Sequence, residues 1–485
     1  NLMKSFSILD NYNTVFINTI LLKKKHRNLL FLLVLIGLIF PTTKIKAQNN
    51  NWKNLLENNS LSKFKQLNGS AQFYLKNDEL VGVSKANTSN SFLATKKLYK
   101  DFILEFEVNI DIGLNSGVQF RSYSSQNFQE GRVYGYQCEI ETSTRKWGGG
   151  IYDEARRGWL YPLTRNLNAQ EAFVNGTWNH YRIEAFGNKI RTYINGVQCA
   201  NLVDSLSSEG FIAFQVHSIE DITDEGKIVR WRNIMIMESP DFSELNNKSN
   251  SAPEISYLEN ELSENEKRIG FRMLWDGESK KGWRGVKLNG FPLKGWEIHD
   301  NILSVESADG YESSNGGDII TIQTFSDFEL SLDFLLTPGA NSGIKYFVNP
   351  NLNKGNGSAI GLEFQLLDDN LHPDAKAGKN GNRTVGSLYD LIRAENTENG
   401  SRGKNFKGVG QWNNARIVVK NGYAEHWLNH VKVVAYNRFS QTFKALIEKS
   451  KYEKWDQFGV WPSGKILLQD HGDRVSFKNI KIREF

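Results

Sequence analysis

Along residues 102–108 apolar and acidic side chains alternate. Phe102, Leu104, Phe106 and Val108 fall on one side, Glu105 and Glu107 on the other. The period of two returns at Phe328, Leu330, Leu332 and Phe334, opposite Glu329, Ser331 and Asp333. Alternation over seven or eight residues predicts half-buried antiparallel strands, and Asn195-Gly196 predicts a hairpin turn between two of them. In the last strand of each half the apolar parity slips. Val229 and Trp231 give way to Ile234 and Ile236, and Val475 and Phe477 to Ile480 and Ile482. One-residue bulges at Asn233 and Asn479 account for the slip. No run of alternating strands and helices is present; residues 259–267 form the one short helical pattern.

The two halves repeat each other. Asn115-Ser-Gly-Val118 recurs as Asn341-Ser-Gly-Ile344, and Gly135-Tyr-Gln-Cys-Glu-Ile140 as Gly361-Leu-Glu-Phe-Gln-Leu366. Trp178-Asn179 recurs as Trp412-Asn413, Tyr193-Ile-Asn195 as Trp427-Leu-Asn429, and Gln215-Val-His217 as Gln469-Asp-His471. The order is constant and the period exceeds 200 residues, which means a duplicated domain rather than a solenoid. The expected architecture is all-β, two jelly-roll β-sandwiches at 48–238 and 269–485, with a polar, acidic linker at 239–268.

Composition removes several classes of function. A length of 485 residues suits two cores, and two cysteines exclude a disulfide scaffold or a Cys-rich zinc module. Cys138 and Cys199 align with Phe364 and Val433, so buried free thiols are expected, with a disulfide in an oxidising compartment as the alternative. The formal charge of +5 suggests a polyanion ligand until it is located. Lys23 to Arg27 precede twelve uncharged residues, Leu29–Phe40, and residues 1–47 read as a secretory signal peptide, with an uncleaved anchor as the alternative. They hold seven basic and one acidic side chain, a net of +6, so the other 438 residues carry −1. Nucleic-acid binding thereby loses its support, and no membrane association beyond the signal peptide is expected.

The standard nucleophile-elbow, phosphate-loop and zinc-protease motifs are missing, and the Gly-rich Gly378–Arg383 reads as a flexible loop. What remains is a set of polar residues on strands that could share one sheet. In the second half these are Glu363, Gln365, Asp368, His372, Asp374, Tyr389, His426, Gln469 and His471; in the first, Gln137, Glu139, Tyr152, Gln215 and His217. Carboxylate and imidazole together suit general acid–base work. Carboxylate and amide oxygens alternatively suit a divalent cation such as calcium. Trp147, Trp159, Trp178, Trp231, Trp412, Trp427 and Trp461 are candidate platforms for sugar rings.

Gly270-Phe-Arg-Met-Leu-Trp-Asp-Gly, Glu363–Asp369, His372-Pro-Asp374, Gly386–Leu391, His426-Trp-Leu-Asn429 and Gln469-Asp-His-Gly472 together resemble the 3-keto-disaccharide hydrolase family. The resemblance is close over 269–485 and looser over 72–238. It implies a concanavalin A-like jelly roll and a secreted or periplasmic enzyme acting on 3-keto-glucosides or related oligosaccharides. The implied chemistry is loss of the C2 proton next to the C3 carbonyl, departure of the C1 aglycone and hydration of the 2-hydroxy-glucal. Within it Glu363 or His471 is the base and His372 or Tyr389 the acid. Gln365, Asp368, Asn413, His426 and Gln469 bind substrate, as do Gln137, Glu139, Tyr152, Arg121 and His217 in the first half. Two departures stand out. Phe347 or Val348 occupies the place that Arg121 keeps in the first half, and His430 replaces the Gly of an Asn-Gly hairpin. A non-catalytic carbohydrate-binding tandem and a conventional glycosidase are the rival readings.

Overall fold

In the computed structural model, residues 51–57, 60–246, 252–352 and 358–485 are described; the expected signal peptide at 1–47 lies outside them. The alternating sequences form two β-sandwiches. In the first, Phe102–Ile110 lies between Asn179–Phe186 and Ile228–Glu238 in a nine-stranded sheet. The sheet facing it holds seven strands, with Asn115–Ser124 between Val133–Glu141 and Phe211–Val216. The second sandwich repeats the arrangement. Phe328–Leu336 lies between Asn413–Lys420 and Val475–Glu484, and Asn341–Asn349 lies between Ile360–Leu367 and Lys465–Leu468.

Each sandwich closes over its own core. Phe102, Phe106, Tyr136, Phe214 and Trp231 are central to the first, and Phe328, Phe334, Tyr346, Phe364 and Phe477 to the second. The expected bulges are present. The pairing register shifts between Arg232 and Met235 and again opposite Ser331/Asp333, and Asn233 and Asn479 adopt left-handed φ angles of 50° and 55°. Asparagine tolerates that region better than most residues. Cys138 and Cys199 are free and buried. Among the described residues no helix is long and apolar enough to cross a membrane.

The linker is less detached than its composition suggests. Ile255–Ser256 adds a parallel strand to Val197–Val203 of the first sandwich. The helix is shorter than expected, Glu264–Arg268, because Ser263 starts it with a capping box completed by Glu266. Asn260 then clamps the second sandwich by exchanging two hydrogen bonds with Asn479, at 2.6 and 2.8 Å.

Candidate active site

The chemistry gathers on the outward face of the five-stranded sheet of the second sandwich. Ile344, Tyr346, Phe364 and Leu366 point into the core, so strand alternation turns Asn341, Gly343, Lys345, Glu363 and Gln365 outward. Lys345 pairs directly across the strands with Glu363, and Gly343 with Gln365. Above them is a cavity of about 330 Å³ lined by Asn341, Lys345, Glu363, Gln365, Tyr389, Gln469 and His471, with Glu312, Lys451, Tyr452, Lys454 and Trp455 also in its wall. Its size suits a small polar ligand.

Glu363 is 7% exposed. Burial raises its pKa, against the lowering influence of Lys345, Lys451 and His471. The Gln365 amide, turned with its nitrogen toward the carboxylate, stands 3.3 Å from Glu363 Oε1 and 2.9 Å from Ser342 O. Gly343 makes this arrangement possible, because a Cβ there would lie 2.2 Å from Glu363 Oε1. Behind the pair, Lys345 Nζ is 3.9 Å from Asp318 Oδ2, an oxygen with no hydrogen bond among the described residues. Burial pushes the Asp318 carboxyl up to about 7. Burial also opposes the charge on Lys345, but Glu363 and Asp318 outweigh it and hold the ammonium above its usual value.

A loop network borders this floor. Tyr389 donates to Asp374 Oδ2 at 2.9 Å, and Arg383 bonds Asp374 at 2.7 Å and Asp390 at 2.8 Å. The Gly-rich segment expected to be flexible is thus pinned by its own arginine. Burial and neighbouring carboxylates hold the Tyr389 phenol well above its ordinary pKa. Residues 438–464 have a much shorter counterpart between Val203 and Phe211 of the first sandwich. This insertion brings Lys451 Nζ to 4.3 Å from the Tyr389 ring centre and places Tyr452 and Trp455 in the wall.

Several candidates do other work. His372 lies beside the cavity wall, its ring 6.2 Å from that of His471, with Nδ1 accepting from Asp374 N at 3.2 Å. Asp368 caps the turn after its strand by accepting from the amides of Gly339 at 2.8 Å, Asn370 at 3.0 Å and Leu371 at 3.3 Å. That leaves it a structural group rather than a sugar or calcium ligand. Asn413 is on the opposite sheet, and its amide bonds Lys407 N, Gly408 O, Gln411 O and Asn429. His426 is fully buried, accepts from Tyr346 OH at 2.9 Å and donates to Gly386 O at 3.0 Å. Burial lowers its pKa to about 4, so it is a neutral core residue rather than a sugar ligand. Among the described residues no cluster of three or more His, Cys, Asp or Glu is arranged for a metal ion. Trp231 is core and Trp147 is buried; Trp455, which none of the sequence patterns singled out, reaches the cavity.

The first sandwich keeps the scaffold but changes the charges. Gln119 and Gln137 replace Lys345 and Glu363, and they bond each other at 2.8 Å. The carboxylate has moved to Glu139, which accepts from Asn115 at 2.7 Å, Arg145 at 3.0 Å and Gln137 at 3.1 Å. Burial pushes Glu139 up to about 7. Arg145 lies 4.8 and 5.1 Å from the ring centres of Trp159 and Trp147. Tyr152 packs edge-on against Trp159, and His217 donates from Nδ1 to Ser218 O at 2.7 Å. Arg121 is structural: it bonds Lys100 O, Gly187 O and Asp101. Phe347 takes its place in the second sandwich, with φ 51° against 46°, and Arg438 from the insertion stacks over that ring at 3.5 Å.

Residues 51–237 and 270–483 each match the 3-keto-alpha-glucoside-1,2-lyase-like domain. The chain belongs to this family. A 3-keto-disaccharide hydrolase of Bacteroides thetaiotaomicron is 34% identical over 234 residues, covering 44% of this chain and 78% of that protein. Two solved structures from Parabacteroides distasonis, both provisionally named glycosyl hydrolases, are also similar. One is 30% identical, covering 47% of this chain and 99% of its own at a TM-score of 0.40. The other is 24% identical, covering 42% and 99% at 0.31. The family assignment makes this a glycosyl-hydrolase-like, carbohydrate-active chain.

Proposed function

We propose that the second sandwich cleaves 3-keto-glycosides by elimination followed by hydration, and that the first does not turn over. The observation that carries this reading is the pairing of Glu363 with Lys345 on one buried floor. A carbonyl at C3 acidifies the C2 hydrogen, and removing it needs a base stronger than an ordinary carboxylate together with a fixed positive charge for the enediolate oxygen. Glu363 is that base and Lys345 supplies the charge, with Asp318 holding the lysine in place. His471 lines the same cavity with its Nδ1 buried and unbonded among the described residues; it protonates the departing C1 oxygen. Gln365, Gln469 and Asn341 orient the sugar hydroxyls. Water then adds at C1 and C2 receives a proton, so the net change is hydrolysis.

A conventional glycosidase needs two carboxylates across one sugar. Here the group opposite Glu363 is a lysine, which favours the elimination. In the first sandwich Glu139 is tied up by three donors and Arg145 covers the face, so it lacks a free base. The test is incubation with a methyl 3-keto-glucoside beside its parent glucoside. Release of methanol from the keto sugar alone supports the reading; equal release from both, or binding without release, overturns it.

A further inference from the structure

The second strong feature lies away from this cavity, where the two sandwiches meet. Thr164 Oγ1 of the first donates to His430 O of the second at 2.7 Å, and Tyr257 of the linker lies 2.9 Å from His430 Nε2. Beside them is a cavity of about 310 Å³ whose lining includes Arg165, Tyr257, Glu329, Arg416, His430 and Arg483.

His430 is an unusual residue for its position. It occupies the second place of the hairpin turn that Gly196 fills in the first sandwich, with φ 69° against 82°. A non-glycine residue is strained there, yet the sequence departs from glycine in this copy alone. Its tautomer follows from its partners. With the Tyr257 OH proton directed to Leu160 O at 3.1 Å, His430 Nε2 is assigned as the donor to the Tyr257 oxygen. Nδ1 is then a lone-pair acceptor. It is buried with no partner among the described residues, and the residue is 5% exposed.

The cations of the cavity are unevenly matched. Glu329 accepts from both Arg416 and Arg483, each at 2.5 Å, and Glu266 accepts from Lys481 at 2.5 Å. The Arg165 side chain makes no hydrogen bond or direct ion pair among the described residues, although it lines the cavity. Burial and the nearby Arg416 lower its pKa to about 10 against the opposing pull of Glu329, a carboxylate already bonded to Arg416 and Arg483. A buried ring nitrogen that lacks a partner and an arginine that must share Glu329 with two other arginines line one polar cavity large enough for a monosaccharide.

We infer that this joint is a second saccharide site selective for a sugar acid, with the carboxylate on Arg165 and a ring hydroxyl donating to His430 Nδ1. A neutral sugar would satisfy the histidine but leave the arginine unpaired, and inorganic phosphate would not use the depth of the cavity. The site does not depend on the reading of the catalytic cavity.

The test is calorimetric titration of the whole chain with D-glucuronate, and with D-glucose in parallel. Glucuronate is expected to bind with one site per chain, and glucose at least about tenfold more weakly. Arg165→Met and His430→Gly should each weaken glucuronate at least about tenfold while 3-keto-glycoside turnover stays within about twofold. Glycine suits the backbone at 430, so His430→Gly keeps the test meaningful if Arg165→Met folds poorly. Absence of glucuronate binding, equal binding of glucose, or binding that survives both substitutions would overturn the inference.

Discussion

Replacing Gly343 by alanine adds one methyl group at the point where the proposed base crosses the neighbouring strand. That methyl would lie 2.2 Å from Glu363 Oε1, 2.9 Å from Cδ and 3.0 Å from Cγ. Ordinary carbon–oxygen contact needs about 3.4 Å, so the nearest oxygen must retreat by roughly 1 Å. The backbones of both strands are held by their ladder; the flexible end of Glu363 therefore moves, not the sheet. A 1 Å misplacement of a catalytic group costs on the order of 100-fold in rate. Gly343 has an ordinary extended φ, so alanine introduces no backbone strain. Steady-state release of methanol from methyl 3-keto-glucoside should show kcat down about 100-fold, with the thermal midpoint within a few degrees of the parent protein. An alanine variant that keeps more than about a third of the parent kcat would refute Glu363 as the base. The equivalent change at Gly117, where the methyl would meet Gln137 Cδ at 2.4 Å, should leave turnover unaltered.

Glu363→Gln should lower kcat by about 100-fold or more with KM little changed, read in the same assay. The pH profile of kcat/KM should rise with pH, because the base must lose its proton, and its midpoint should lie above the usual carboxylate value since burial raises Glu363. Lys345→Met removes a charge that lowers that pKa, so the rising limb should move to still higher pH; a shift downward would contradict the pairing. Glu139→Gln in the first sandwich should keep turnover within about twofold. His426 contributes stability through its depressed pKa. That contribution is complete above about pH 6.5 and is lost as the pH falls toward about 4, a loss of roughly 3 kcal/mol at most. Urea unfolding of His426→Asn between pH 7 and 4.5 should accordingly be less pH-sensitive than that of the parent chain.

The fold was legible because its signal is local. Alternation at 102–108 and 328–334 required only that one face be buried, and the parity slip at Asn233 and Asn479 showed directly as bulges. Glu363, Gln365, Gln469 and His471 could be grouped because they share strand parity. Lys345 was missed although its signal was present: a lysine within an otherwise apolar strand, in phase with Gly343 and two residues beyond it. Asp318 and Trp455 were not legible, since which loops fold over the sheet depends on long-range packing. His426, Asn413 and Asp368 misled for one common reason. A polar residue in a repeated motif serves a buried hydrogen-bond network as readily as a substrate, and composition does not distinguish the two.

The central claim is that the C2 proton leaves before the glycosidic bond is hydrolysed. Turnover of methyl 3-keto-glucoside in D2O, with nuclear magnetic resonance of the released 3-keto-glucose and an enzyme-free control for spontaneous exchange, tests it most directly. Deuterium is expected at C2 of the product formed at early time, lost in step with activity in Glu363→Gln. Product that retains its C2 hydrogen while the bond is cleaved at full rate would contradict it.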